Sequence, residues 1–380
     1  MCHRNPLRCV VPPRLLRRLL AHDDAQIREA AMSTLLTTAR LRGQRELLAQ
    51  TFAPVSGGGL HRSIYTARGD AGTPSGRLVR SEGGPPSADH AVNAVYEGFG
   101  ATYELFRTAF QRDSLDGKGL RLDGVVHYDY RFNNAFWNGS HLVFGDGDGK
   151  ALLGFTRSLE IIGHELTHGV TEFTCNLEYH KQSGALNESM SDVFGSLVKQ
   201  FALRQTAAEA DWLIGSGVLG PAVPGVALRS LKAPGTAYVG DDQIATMRAY
   251  IETPDTDAGD WGGVHRNSGI PNHAFYLLAT RLGGFAWQDA GQIWYDTLLA
   301  LQPNSDFRTC ASLSYYQAGR RFGLNSRQQL EVGAAWEDVG VPATAANAAG
   351  VIATNPSAAQ LTYKLKSIAN QIGRAVDLAT

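Results

Sequence analysis

Apolar positions recur along this chain with two different periods, and the change of period divides it. From Asp23 to Leu48, Ala, Leu, Arg and Glu recur with no glycine before Gly43, which predicts a helix. Short β-prone pieces follow at 63–66 and 77–80, broken by glycines. Ala88 to Ala109 returns to helical spacing through Val92, Val95, Phe99, Tyr103 and Phe106. Gly124 to Tyr130 alternates like a strand, with His127 read as one of its packing or hydrogen-bonded residues, and 134–137 reads as a further edge strand. Ile161, Ile162 and Leu166 mark the apolar side of another helix. From Ser189 the pattern is mainly helical: Met190–Leu203, His273–Leu282, Trp287–Leu301, Arg308–Phe322 and Ser326–Val339. Pro221, Pro224 and Pro234 mark loops. Leu361, Leu365, Ile368, Ile372 and Val376 fall on one face of a C-terminal helix.

Bulk properties exclude several classes. The 380 residues are 43% hydrophobic and 19% charged, as in an ordinary soluble globular protein, and can fill two domains with appendages. A formal net charge of −1 gives no reason to expect nucleic acid or an anionic membrane as partner. No apolar run is long enough to cross a bilayer. The first twenty residues are interrupted by Pro12, Pro13, Arg14, Arg17 and Arg18, so they lack the apolar stretch of a Sec signal peptide. Export by a non-Sec route is therefore expected, with a cytoplasmic precursor as the other reading. Cys2, Cys9, Cys175 and Cys310 are spaced irregularly and suggest no disulfide framework. Cys2 and Cys9 are read as free thiols, with metal binding before activation as the alternative.

The chemistry concentrates at His164-Glu165-Leu166-Thr167-His168. Histidines four apart share one face of a helix, and neutral imidazole is a good zinc ligand. A carboxylate beside the first ligand can accept a proton from an activated water. The bland alternative is a core helix with two hydrogen-bonded histidines. The segment Gly184 to Asp192 starts a second helix, with Glu188 and Asp192 four apart. Glu188 fits a third ligand, and Asp192 fits a carboxylate holding a ligand imidazole by its other N–H. Gly145-Asp146-Gly147-Asp148-Gly149 lacks the ligand spacing of an EF-hand and reads as a turn.

These segments, with Tyr130–Gly139 and Gly262–Gly269, make most of residues 85–342 resemble the thermolysin-family zinc metalloproteases. The resemblance implies an α+β, two-lobed fold: a β-rich N-terminal lobe, a helical C-terminal lobe, and the zinc helix between them. Cys9-Val10-Val11-Pro12-Pro13-Arg14-Leu15-Leu16 is similar to the short precursor segment of protealysin-like members, with Arg14 where an aromatic or small residue is usual. The implied division is a helical propeptide (1–52), a β-rich lobe with the zinc helix (53–187), a helical lobe (188–342), and a linker with an amphipathic helix (343–380).

The resemblance further implies that Zn²⁺ is held by His164, His168 and Glu188, with Asp192 and Asn187 behind the ligands. Glu165 is the implied general base and acid, and Tyr179 and His265, the latter oriented by Asp260, the implied donors to the oxyanion. Asn134, Ala135 and Arg229 would hold substrate backbone, and Ile161 and Leu228 would line an apolar pocket for the residue after the scissile bond. Family members with paired calcium ions use a ring of acids. Glu160 and Asp211 stand at matching positions here, but Lys199, Leu213 and Ser216 replace three others, so the paired site is expected to be lost, with calcium elsewhere left open. The expected partners are peptide or protein substrates, the chain's own propeptide and a protein inhibitor. Two rival readings stand beside the endopeptidase: a zinc aminopeptidase, and a zinc- or peptide-binding module without activity.

Overall fold

Strands β1 (Arg8–Cys9), β2 (Arg62–Thr66), β3 (Arg77–Ser81), β4 (Leu122–Val126), β5 (Ala135–Trp137) and β6 (Leu142–Phe144) form one sheet in the order β1-β5-β6-β4-β2-β3. The pairs β2–β4 and β4–β6 are parallel and the rest antiparallel. In this computed structural model, residues 7–51, 57–70 and 76–343 are described, the stretch 44–51 by its backbone alone. The expected helix over 361–376, Cys2 and residues 53–56 lie outside the described residues.

The helix expected over 23–48 is α2 (Ala25–Thr51), and a short helix that the pattern did not mark, α1 (Pro13–Leu19), precedes it. Pro13 at the first helical position suits α1, because its missing N–H would have no partner there. The helix α3 (His90–Phe110) is capped by Asp89, whose side chain accepts from Ala91 and Val92 N–H, and packs on β2 and β4. Strand β4 stops at Val126, short of the expected Tyr130. His127, Asp129 and Arg131 adopt φ of 55°, 55° and 57°, and left-handed backbone cannot continue a strand. His127 is held at this bend by both ring nitrogens, Nδ1 at 2.8 Å from Asp146 and Nε2 at 2.9 Å from Asp89. The Gly-Asp repeat after β6 is a turn, in which Asp148 Oδ1 accepts from the N–H groups of Lys150, Ala151 and Leu152.

The second half contains α4 (Leu159–Glu172), α5 (Lys181–Leu203), the short pair β7 (Leu213–Ile214) and β8 (Arg229–Ser230), and α6 (Asp260–Asn267). Four further helices follow: α7 (Gly269–Leu282), α8 (Asp289–Ala300), α9 (Phe307–Phe322) and α10 (Arg327–Asp338). Helix α5 starts at Lys181, earlier than expected, so Glu188 sits inside the helix and not in its first turn. Helix α4 is buried from Glu160 to Thr171 and packs against α5, α3 and β5. One apolar core runs through both lobes and takes in Val10, Val11, Leu15, Leu16, Leu19, Ile27 and Ala31. No helix among the described residues is long and apolar enough to cross a membrane.

Close approach of α4 and α5 depends on Gly195. A Cβ there would lie 2.4 Å from Glu160 O and 3.0 Å from His164 N. Gly195→Ala should therefore destabilise the protein by about 1–3 kcal/mol, despite alanine's better helix propensity. A thermal melt no lower than that of the parent would contradict this.

The two acids around His127 raise its pKa to about 9, the Asp146 hydrogen bond foremost, against the opposing effect of burial. The folded value lies above the unfolded one, so this contribution is complete below about pH 6.5 and is lost as pH rises through about 9. The cluster is partly exposed, which limits the effect to on the order of 1 kcal/mol. Melting of the parent should fall more steeply between those pH values than melting of His127→Gln; parallel curves would remove the cluster from the account.

Candidate metal centre and cleft

His164 and His168 point from α4 toward Glu188 on α5, and one ligand atom from each lies within 4.8 Å of the others. All three residues are fully buried. The outer hydrogen bonds decide the tautomers. His164 Nδ1 lies 2.9 Å from Asp192 Oδ1, an acceptor, so Nδ1 carries the proton. His168 Nδ1 lies 2.8 Å from Asn187 Oδ1 and 2.9 Å from Ser191 Oγ. Asn187 Nδ2 donates to Leu177 O at 3.0 Å, which fixes the amide with its oxygen toward His168. Both Nε2 atoms therefore present lone pairs inward. Burial above all holds the His168 pKa well below its ordinary value and keeps the ring neutral.

The two Nε2 atoms and Glu188 Oε2 are buried with no hydrogen-bond partner. Several unpaired polar atoms converging on one point are costly unless a cation fills it. Two imidazole nitrogens and a carboxylate are the donor set that suits zinc with an open fourth position. Glu165 is fully buried, and burial followed by the nearby Glu188 raises its pKa well above the usual carboxylate range.

Asp192 joins the centre to the cleft. Its carboxylate accepts from His164, from Arg229 Nε and Nη2 at 2.8 Å each, and from Asn272 Nδ2 at 2.9 Å. Burial opposes its ionisation, but Arg229 prevails and holds the carboxyl well below its ordinary value. His265 is positioned by Asp260, which accepts from its Nδ1 at 2.6 Å and its backbone N–H at 2.9 Å. Asp260 and Trp261 hold left-handed φ of 54° and 51°, a strained turn for non-glycine residues that brings Asp260 under the imidazole. Both nitrogens of His265 face acceptors, so the ring is protonated. Burial works against that, but Asp260 and then Glu188 raise its pKa to about 9. The Tyr179 hydroxyl donates to Glu188 Oε1 and lies 3.4 Å from His265 Nε2. Ile161 and Leu228 are buried in the core that also holds Val10.

The edge of β5 is covered by the chain's own N-terminal segment. Arg8 and Cys9 pair antiparallel with Trp137 and Phe136. Cys9 O accepts from His265 Nε2 at 2.8 Å, and Val10 O accepts from Arg229 Nη1 at 2.7 Å. Val10 N–H donates to Ala135 O at 3.2 Å, and Val11 N–H donates to Asn134 Oδ1 at 3.0 Å. Arg8 is fully buried and donates to His168 O at 2.7 Å. The Cys9 thiol stays outside the ligand group and packs with Leu7, Leu41, Tyr128 and Phe136, where burial raises its pKa to about 12. No sequence signal marked Arg8. Its burial could be read only from the pairing of its strand.

The Thermolysin metallopeptidase catalytic domain matches residues 63–172, and the Thermolysin metallopeptidase alpha-helical domain matches residues 175–341. The chain belongs to the thermolysin family of metallopeptidases. An extracellular metalloprotease of Pectobacterium carotovorum subsp. carotovorum is 46% identical over 344 residues, covering 89% of this chain and 97% of that protein. Protease PrtS of a Photorhabdus species is 41% identical over 350 residues, covering 89% and 93%. The solved precursor of protealysin, a metalloproteinase from Serratia proteamaculans, is 48% identical with a TM-score of 0.79, covering 88% of this chain and 99% of that one. This thermolysin-family chain is a zinc metalloendopeptidase made as a proenzyme, with the family's β-rich and helical lobes.

Lys199 Nζ lies 2.7 Å from Asp211 Oδ2 and 3.5 Å from Glu160 Oε1. An ammonium stands among the acids that remain.

Removal of an outer partner of a metal-ligating imidazole typically lowers metal affinity about 10- to 100-fold. Asn187→Ala should weaken zinc binding by that amount, measured by competition with a chromogenic chelator. Affinity equal to the parent's would mean that Asn187 does not orient His168.

Proposed function

We propose that this protein is a neutral zinc endopeptidase that cuts before hydrophobic residues, and that residues 1–52 hold it latent by lying in its cleft as a substrate would. The observation that carries the reading is the set of four backbone contacts to Cys9, Val10 and Val11. In this register Val10 stands for the residue after the scissile bond, and Cys9 O stands for the scissile carbonyl oxygen.

His164, His168 and Glu188 would hold zinc, which supplies Lewis acidity that makes a water nucleophilic near neutral pH. Glu165 takes a proton on its carboxylate and passes it to the leaving amine. His265 donates from Nε2 to the carbonyl oxygen as charge builds there, and Asp260 keeps the ring protonated. Tyr179 becomes a second donor when its hydroxyl leaves Glu188. Arg229 grips the next carbonyl, while Asn134 and Ala135 bind main chain without reading side chains. Ile161 and Leu228 make the adjoining pocket apolar, which favours residues such as Leu or Phe.

The aminopeptidase reading is disfavoured because polypeptide continues on both sides of the Cys9–Val10 bond. Leu7 and Arg8 are buried on one side, and Val11 and Pro13 on the other. A non-enzymatic module would not require Glu165 and His265 together. Secretion accords with the relatives described as extracellular, and a non-Sec route is part of the proposal. So is the loss of the paired calcium site, with Lys199 in its place. A protein inhibitor would act by laying a strand along β5 as β1 does.

Purified full chain, followed by mass spectrometry, should lose its N-terminal segment by cleavage near residues 50–60. Glu165→Ala should remain intact. An identical pattern in both proteins would remove self-cleavage from the proposal.

A further inference from the structure

The helix that follows the four backbone contacts rests on an acidic ledge that the reaction does not use. Arg14, Arg17 and Arg18 lie on one face of α1, and Leu15, Leu16 and Leu19 are buried. Arg14 pairs with Asp242. Arg17 Nη2 lies 2.8 Å from Asp257 Oδ2. Arg18 donates to Gly240 O at 2.8 Å and to Val239 O at 3.0 Å. Gly240 has a φ of 87°, and a Cβ there would stand 1.8 Å from Arg18 Nη1. The loop thus offers a flat seat for a guanidinium: two carbonyl acceptors and no side chain in the way. Arg266 Nη1 is 3.9 Å from Asp242, and Asp257 also receives Arg42 from α2.

We propose that the ledge of Asp242, Asp257 and the Val239–Gly240 carbonyls is a second substrate-binding site of the mature enzyme. It takes a basic amphipathic helix that begins a few residues after the cut. This rests on the reading of Val10 as the residue after the scissile bond. Arg14, Arg17 and Arg18 are then the fifth, eighth and ninth residues after that bond. The chain's own segment shows both the chemistry of the occupant and its register. Once that segment leaves, the two carboxylates and two carbonyls face solvent with the same geometry. Exposed pairs of this kind are individually weak, so three together should change KM about 3- to 30-fold.

The test uses the zinc-loaded full chain after maturation, or after limited proteolysis with the added protease then inhibited. Three blocked peptides share Gly-Val-Val-Ala-Pro followed by Xaa-Leu-Leu-Xaa-Xaa-Leu-Leu, with Xaa as Arg, Gln or Glu. KM for the Arg peptide should be about 3- to 30-fold below that of the Gln peptide, and KM for the Glu peptide above both. The Arg-to-Gln ratio should approach one in about 0.5 M NaCl and in the double variant Asp242→Asn, Asp257→Asn. Equal KM for the Arg and Gln peptides, or a preference that survives in the double variant, overturns the second site. KM is read for the cut before the first Val, and absence of that cut in the Gln peptide, whatever cuts occur before Leu, overturns instead the register beneath it, so the two failures are distinguishable.

Discussion

Buried ligand atoms without partners are the constraint on which this structure turns. His164 Nε2, His168 Nε2 and Glu188 Oε2 converge between α4 and α5, and no protein donor or acceptor satisfies them. Leaving such groups unpaired typically costs about 1–3 kcal/mol each. A cation of the right size turns that cost into binding energy. The surroundings are arranged to keep the atoms converging. Gly195 lets the helices approach, Asp192 and Asn187 fix the ring tautomers, and burial keeps His168 neutral.

Asp192 does more than orient a ligand. The same carboxylate neutralises Arg229 through a two-pronged contact and accepts from Asn272. A buried guanidinium needs such a partner, since an isolated buried charge is very costly. With Nε and Nη2 committed to Asp192, the remaining nitrogen is aimed at the carbonyl of Val10. The orientations of His164 and Arg229 are thereby tied to one charge.

The N-terminal segment uses three kinds of contact, and their magnitudes differ. Backbone hydrogen bonds to β5 set register without depending on side chains. Burial of Val10, Leu15, Leu16 and Leu19 supplies most of the free energy, at about 1.5–3 kcal/mol for each large side chain. The exposed arginine pairs at the rim contribute about 0.2–1 kcal/mol each and chiefly set position. That division explains why the segment can hold tightly while its contacts at the centre remain those of any extended peptide.

The helices α3, α4 and α7 to α10 were legible within a few residues, because each carries an apolar stripe whose period survives burial. The candidate metal ligands were legible for the same reason: a four-residue spacing on a helix is a local geometric fact, and Glu188 and Asp192 repeat it. Local pattern failed where tertiary contacts select the backbone. The strand expected to reach Tyr130 ends at Val126 because His127 is pulled between Asp89 and Asp146, residues far from it along the chain. Helix α5 begins at Lys181 despite the glycine at 184, where a Cβ would lie 2.5 Å from Val264 Cγ1, so close packing selects glycine inside the helix. The two residues of β1 are too short to carry a period, and Arg8 is polar yet fully buried. By itself, then, the amino-acid order determined most of the longer helices, the candidate ligand set and the family. Which strand covers β5, which carbonyl His265 touches, and which acids meet the arginines of α1 were decided only by the folded chain, because those partners lie 120 to 260 residues apart and no local period encodes them.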